Sequence, residues 1–263
     1  MYRIFPNGHS ITIGNWLRLV LAVQLVIVAL LIAADVSMRW EFTGTSPKPS
    51  IESPVSPGDQ VRKYQPVRPR VETPDTDLDY TIDQAADQPT RLVFSIRQSS
   101  DLKSVLHMHG KIAQGDANRF SAYLETLDSP PDTVAVNSTG GIVDEALQIG
   151  LIIREQEFNT HLSAREICLS ACPYILAGGI ERRVSHEGIV GLHQHYYETP
   201  GFMPVFLAVE NIQRGQGRTM AHLIEMGIDP GVMIHSLTTP PDDIYVLVED
   251  ELIASKMATQ LIE

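Results

Sequence analysis

Cysteine is scarce in this chain: 263 residues carry two, Cys168 and Cys172. Two thiols exclude a multi-bridge disulfide framework and a four-thiolate zinc site. Positive charge is also short, with 20 Lys and Arg against 32 Asp and Glu, a formal net charge of -12 at pH 7. Such a surface repels phosphate and excludes nonspecific nucleic-acid binding, which depends on displacing counterions with basic side chains. No internal repeat is present, so a solenoid is excluded. The length and a hydrophobic content of 43% suit one domain of ordinary size with appendages.

Long apolar runs are absent with one exception. Leu19 to Ala34 reads LVLAVQLVIVALLIAA, uncharged, with Gln24 as its only polar residue. With Ile13 to Leu17 it makes a span of about 20 residues, interrupted by Arg18 and close to bilayer length. It has no polar face, unlike a helix lying on a soluble core. Residues 16–36 are therefore expected to form a transmembrane signal-anchor helix. Arg3 and Arg18 precede the run without any acid, which sets residues 1–15 in the cytoplasm and exports the chain beyond the helix. The expectation is a single-pass protein of the inner (cytoplasmic) membrane, with its C-terminal domain in the periplasm or at the cell exterior. A cleaved signal peptide is the competing reading, against which the bulky Ile32 interrupts the small-residue pattern before Ala34.

Residues 43–90 hold eight of the 17 prolines, from Pro47 to Pro89, among apolar residues without period. Each proline removes a backbone donor and fixes φ. Residues 37–90 are expected to be a disordered, extended linker.

Regular patterning begins at Arg91. RLVFSI and SVLHMHG read as strands, and DANRFSAYLETL sets Phe120, Tyr123, Leu124 and Leu127 on one helical face. DTVAVNS is a short buried strand stopped by TGG. IVDEALQIGLIIREQ is a helix with Ala146, Ile149, Gly150 and Ile153 in one stripe. THLSAREI leads into ICLSACPYILAGG, and GIVGLHQH is a strand. FLAVENIQRGQGRTMAHLIEMG is a long helix weakened by Gly215 and Gly217, and a strand and a helix close the chain. Alternating strands and helices over residues 91–263 indicate an α/β domain with largely parallel strands.

Three pieces of that domain carry chemistry. In VNSTGGIVDEA, a buried strand runs through Gly140 and Gly141 into a helix. Such glycines turn backbone N–H groups toward an anion or a carbonyl oxygen, although a plain tight turn reads the same way. Pro173 is tolerated only in the first turn of a helix, which sets Ser170 at the helix's N-terminal edge. There the N–H of Ala171 and the helix dipole can stabilise an oxyanion, or the serine can simply cap the helix. His193 lies at the end of an apolar strand, where α/β folds present functional groups.

In order and local context these pieces resemble the Clp protease proteolytic subunit, within the Clp/crotonase superfamily. LHMHGKIAQGDANRF is similar to that family's entry strand, glycine and first helix. VNSTGG looks like its Asn-Ser-Pro-Gly-Gly turn, with Thr139 in place of proline. LSACPYILAGGIERR follows its serine, apolar helix, Ala-Gly and basic pair, and VGLHQH its histidine at a strand end. The resemblance implies a spiral of ββα units, a Ser-His-Asp peptidase acting on peptide or protein substrates, and no metal or organic cofactor. It makes Ser170 the nucleophile and His193 the general base, with the N–H groups of Gly141 and Ala171 as the oxyanion hole. The acid falls at Asp243, two before Tyr245, with Asp242 as the near alternative. Glu166 stands where the family has glycine. The helix that stacks family rings has no match, so rings and an ATP-driven partner are not implied, and a homo-oligomer stays open. The crotonase branch would need coenzyme A, for which no adenine-binding signature is present. A degenerate, non-catalytic scaffold of the cell envelope remains the other reading. An exported chain permits a Cys168–Cys172 disulfide, because the loop-to-helix junction lets their Cα atoms approach; two buried free thiols are the alternative.

Overall fold

A computed structural model describes residues 13–41, 59–64, 88–97, 104–195 and 205–263. The chain divides into two compact units, Met1–Lys48 and Pro49–Glu263. The first contains α1 (Ile13–Glu41), whose stretch Gly14–Ala33 has no buried residue. At 1.5 Å per residue those 20 residues span about 30 Å, the thickness of a hydrocarbon core. The helix is long and apolar enough to cross a membrane. It also lies near the N-terminus, where a signal sequence has the same character.

The second unit is a mixed α/β domain. It runs β1 (Val61–Lys63), β2 (Val93–Arg97), β3 (Val105–His109), α2 (Asp116–Glu125), β4 (Thr133–Asn137), α3 (Val143–Glu155) and β5 (Asn159–Leu162). Next come β6 (Ile167–Leu169), α4 (Cys172–Leu176), β7 (Arg182–Ser185), β8 (Ile189–Leu192), α5 (Val205–Glu225) and α6 (Met233–Thr238). The chain closes with β9 (Asp243–Val246), α7 (Glu249–Ala254) and β10 (Gln260–Ile262).

Two sheets result. One has the spatial order β10-β7-β5-β4-β3-β2, parallel throughout except for the β2–β3 hairpin. Parallel neighbours need crossovers, and α2 and α3 supply them between β3, β4 and β5. The stripe expected on α3 is buried: Ala146, Ile149, Gly150 and Ile153 all face the core. On α2, Phe120 is buried against Phe94 at 5.4 Å between ring centroids, and Tyr123, Leu124 and Leu127 pack around it. Glu145 of α3 accepts from the N–H groups of Gly115 and Ala117 at 2.8 and 2.9 Å, satisfying donors that the first turn of α2 leaves open.

The other sheet has the order β1-β9-β8-β6, with β6 and β8 parallel and β9 antiparallel to both its neighbours. A single bridge between Ser138 and Cys168 joins the end of β4 to β6. Helix α4 crosses α3 in backbone contact: a Cβ on Gly150 would lie 2.5 Å from the Tyr174 carbonyl oxygen, and one on Gly178 2.4 Å from that of Gly150. The Arg154 guanidinium donates to the carbonyls of Ala177, Gly178 and Gly179, closing the C-terminal end of α4.

Several expectations need correction. Residues 37–41 continue α1, so the linker does not begin at residue 37. Within 37–90, residues 61–63 form β1, because β9 offers an open edge whose backbone groups need partners. Gln88 and Pro89 also hold fixed places, the Pro89 carbonyl accepting from Lys111 N–H at 2.9 Å. Residues 42–58 and 65–87 of the expected linker lie outside the described residues. Strands β7 and β10 and helix α6 were not anticipated, each being too short to carry a period. The long helix runs through Gly215 and Gly217 without a break.

Candidate active site

Strand β6 is wholly buried and clamped on both sides. Leu169 N–H donates to the Ser138 carbonyl at 3.0 Å, and Ser170 N–H to that of Gly191 at 2.9 Å. Ser170 then adopts φ 61°, one of four non-glycine residues in the left-handed region among those described. That conformation costs an L-residue about 1–2 kcal/mol. It turns the chain from strand into α4 within one residue, and Pro173 occupies the first turn as expected.

Cys168 and Cys172 form the expected disulfide across this turn, with Cα atoms 5.0 Å apart. A regular helix would aim the two thiols poorly. Here Cys168 lies in a strand and Cys172 begins a helix, and the left-handed Ser170 between them brings the two side chains together.

His193 follows β8 directly. Its Nε2 lies 2.7 Å from Ser170 Oγ, so the structure brings the expected nucleophile and base into hydrogen-bond contact. The residue is held by its backbone: Ser236 Oγ donates to its carbonyl at 2.8 Å, and Gln194 N–H to the Thr239 carbonyl at 2.9 Å. His193 is 6% exposed whereas Ser170 is half-buried. Burial pushes the imidazole down to about 4, helped by His195 and opposed by the Gln194 backbone and the Asp242 charge. At neutral pH the ring is the unprotonated form that can accept the serine proton.

The Gly-Gly turn lies against the serine. A Cβ on Gly140 would sit 2.5 Å from Ser170 Cβ and 3.0 Å from Ala171 N. Gly140 has φ 96° and Gly141 φ 146°, conformations that glycine alone adopts without strain. The N–H groups of Gly141 and Ala171, the expected oxyanion donors, have no acceptor among the described residues. Ser138 Oγ accepts from Gly140 N–H at 3.1 Å and donates to the Gly110 carbonyl at 2.6 Å, which fixes the turn from behind.

The expected acid is a correction. No hydrogen bond joins Asp243 to His193, and the buried Nδ1 of His193 has no partner among the described residues. The register gives the reason. Gly191 pairs with Val246 and Leu192 with Tyr245, so one further step sets His193 opposite Ile244. Opposed residues share a face and faces alternate, so His193 falls on the side of Asp242 and Ile244. Tyr245 points away, stacked on His235 at 4.1 Å and donating to Glu251 at 2.6 Å. Asp243 is buried but makes no hydrogen bond to the ring, and Asp242 is the carboxylate whose charge reaches it.

Glu166, where the resemblance implied a glycine, is paired with His107 at 3.2 Å. Burial opposes its ionisation, but hydrogen bonds from His107 and Ser163 outweigh it and hold the carboxyl below its ordinary range.

One site residue was missed altogether. Tyr64, just after β1, lies over His193 with ring centroids 4.9 Å apart, and its hydroxyl donates to the Thr139 carbonyl at 2.6 Å. Burial pushes its phenol up to about 12, with the Ser170 hydroxyl close enough to offset part of the rise. Gln88, from the other end of the expected linker, accepts from Thr139 N–H at 2.9 Å and donates to Asn137 at 2.9 Å. Neither lies in a periodic segment, and only the aromatic in RKYQP hinted at a buried position. A cavity of about 260 Å³ is lined by Gln194, His195, Ile212, Met233 and Ser236 among others, and neither Ser170 nor His193 lines it. Among the described residues no group of three or more His, Cys, Asp or Glu is arranged to hold a metal ion. No model of a known protein family matches the chain, and no curated protein does either.

Proposed function

We propose that this chain is a serine hydrolase of peptidase type on a Clp/crotonase-like spiral, tethered to a membrane by α1, with its domain outside the cytoplasm. The observation that carries it is the 2.7 Å contact between Ser170 Oγ and His193 Nε2, made at a left-handed strand-to-helix turn beside Gly140 and Gly141. The disulfide supports the export reading, since such bonds persist in oxidising compartments.

In this mechanism Nε2 takes the Ser170 proton as Oγ bonds to a peptide carbonyl carbon. The carbonyl oxygen gains the negative charge, and the N–H groups of Gly141 and Ala171 hold it. As the C–N bond breaks, Nε2 returns the proton to the leaving amine. Water then attacks the acyl-serine, giving its proton to Nε2, which passes it to Oγ as the acid product leaves. Asp242, on the face of His193, favours the imidazolium by its charge.

A fluorophosphonate probe tests the proposal on the full-length protein in detergent. It is expected to label Ser170 in the wild type, and Ser170→Ala or His193→Ala to abolish labelling. Equal labelling of Ser170→Ala and wild type removes the nucleophile assignment. The unpartnered Nδ1 of His193 favours a second reading, a non-catalytic binding or scaffold protein of the cell envelope. An unlabelled wild type would decide for it.

A further inference from the structure

Tyr64 comes from outside the patterned part of the domain, yet it touches the base, the nucleophile's surroundings and the turn that carries an oxyanion donor. Residues 60–64 reach the site by zipping onto β9. Val61 pairs with Tyr245 and Lys63 with Asp243, Val246 N–H donates to the Gln60 carbonyl at 2.8 Å, and Tyr64 N–H to that of Asp242 at 3.1 Å. Arg62 is fully buried and bonded to Asp59 through its Nε and Nη2, which fixes the segment at its other end. The alternation that turns Arg62 inward also turns Tyr64 inward, onto the face of Ile244 and His193.

From these contacts we infer that Tyr64 is a positioning residue for the Ser170–His193 pair, delivered by the β1 segment, so that the site is complete only when β1 is zipped onto β9. The inference rests on the serine-hydrolase reading above. Two separable contacts carry it. The ring lies against the imidazole, keeps water from it and limits its rotation. The hydroxyl holds the carbonyl of Thr139, the residue before Gly140 and Gly141, and so fixes the orientation of the turn from which the Gly141 N–H points. Blockage by the same segment is the contrary arrangement, and the exposure pattern opposes it. With Tyr64 in place, Ser170 remains half-buried while His193 is covered. A strap filling a substrate groove would cover the nucleophile as well.

The charged and titratable groups around the imidazole are His195 on its own segment, Asp242 beside β9 and Tyr64 beside β1, with the Ser170 hydroxyl against Nε2. Removing the Tyr64 ring admits water to the imidazole and leaves the other groups in place. The pH at which His193 protonates, now about 4, then moves toward its ordinary 6.5.

The experiment pairs Tyr64→Phe with Tyr64→Ala in the full-length protein. It measures fluorophosphonate labelling of Ser170 against pH, and the His193 titration by NMR of imidazole-labelled protein. Tyr64→Phe is expected to slow labelling about tenfold without moving the titration, because it removes the hydroxyl's hold on the turn and its contact with the Ser170 hydroxyl while the ring stays against the imidazole. Tyr64→Ala is expected to slow it further and to raise the His193 midpoint by about one unit or more. A residue that merely filled space would leave the midpoint in place. Faster labelling in either variant would mean that the segment blocks the site, and wild-type rates in both would mean that it does nothing there; each overturns the inference. Should Tyr64→Ala fail to fold, Tyr64→Phe decides it by rate alone. An unlabelled wild type sinks the hydrolase reading and this inference with it, whereas a labelled wild type indistinguishable from both variants sinks this inference only.

Discussion

The two sheets of the domain are built in different ways. Five of the six strands in the larger sheet lie parallel, and β2 to β5 are consecutive both in sequence and in space. The smaller sheet gathers β1, β6, β8 and β9 from positions as far apart as Val61 and Val246. Ser170 and His193 leave the ends of β6 and β8, and Tyr64 the end of β1. The large sheet is a frame assembled from neighbours, and the small sheet is where distant stretches meet at Ser170, His193 and Tyr64. Damage to the frame should therefore cost stability, and damage to the small sheet should cost chemistry.

The largest expected effect in the small sheet comes from the bond that spans Ser170. Replacing Cys168 and Cys172 together by Ser opens a five-residue loop and is expected to remove about 2 kcal/mol of stability. Ser170 labelling should fall at least about tenfold, because the turn that presents the hydroxyl loses its brace. Denaturant unfolding and probe kinetics measure the two together, and full activity in the double variant would separate the disulfide from the site. In the frame, Phe120→Leu should cost about 1–2 kcal/mol through a cavity against Phe94. Labelling per folded molecule should stay within about twofold of wild type, because Phe120 packs on α2 against Phe94 of the larger sheet. A larger loss would mean that the two sheets do not divide the work.

The pH dependence has a definite sign. The buried His193 stays unprotonated down to about 4, so labelling should hold as pH falls past the ordinary imidazole range and decline only near that value. The unfolded chain protonates the same group near 6.5, so this residue's contribution to stability falls as pH drops from there to about 4. A labelling midpoint near 6.5 would place the imidazole in contact with water. The smallest effect concerns the acids. Asp242→Asn is expected to slow labelling only a few-fold, about what the loss of one exposed charge near the ring warrants. Asp243→Asn should change it less, and the reverse order would restore the hydrogen bond that the register argues against.

The frame could be read from the sequence because its signals are local. Phe120 with Tyr123, and Ala146 with Ile149 and Ile153, repeat within single helices, and the glycine pair marks its own turn. Ser170 and His193 each stood out at the end of a short apolar run, but only the family resemblance paired them as nucleophile and base. The disulfide was also legible, from two lone thiols flanking a strand-to-helix junction. What escaped depended on partners far along the chain. VRK has three residues and no period, and becomes a strand only because β9 presents an edge. Asp242 and Asp243 are equivalent until β8 fixes which of them shares a face with His193.

Ser170 stands at φ 61°, where glycine or asparagine is more comfortable than serine. A serine there carries a conformational cost that glycine would not. A library selected for heat resistance alone should drift at this codon toward glycine, and those survivors should be the clones that no longer label. Thermal robustness and reactivity would then be anticorrelated at one position, a signature that separates a working nucleophile from a serine that merely ends a strand.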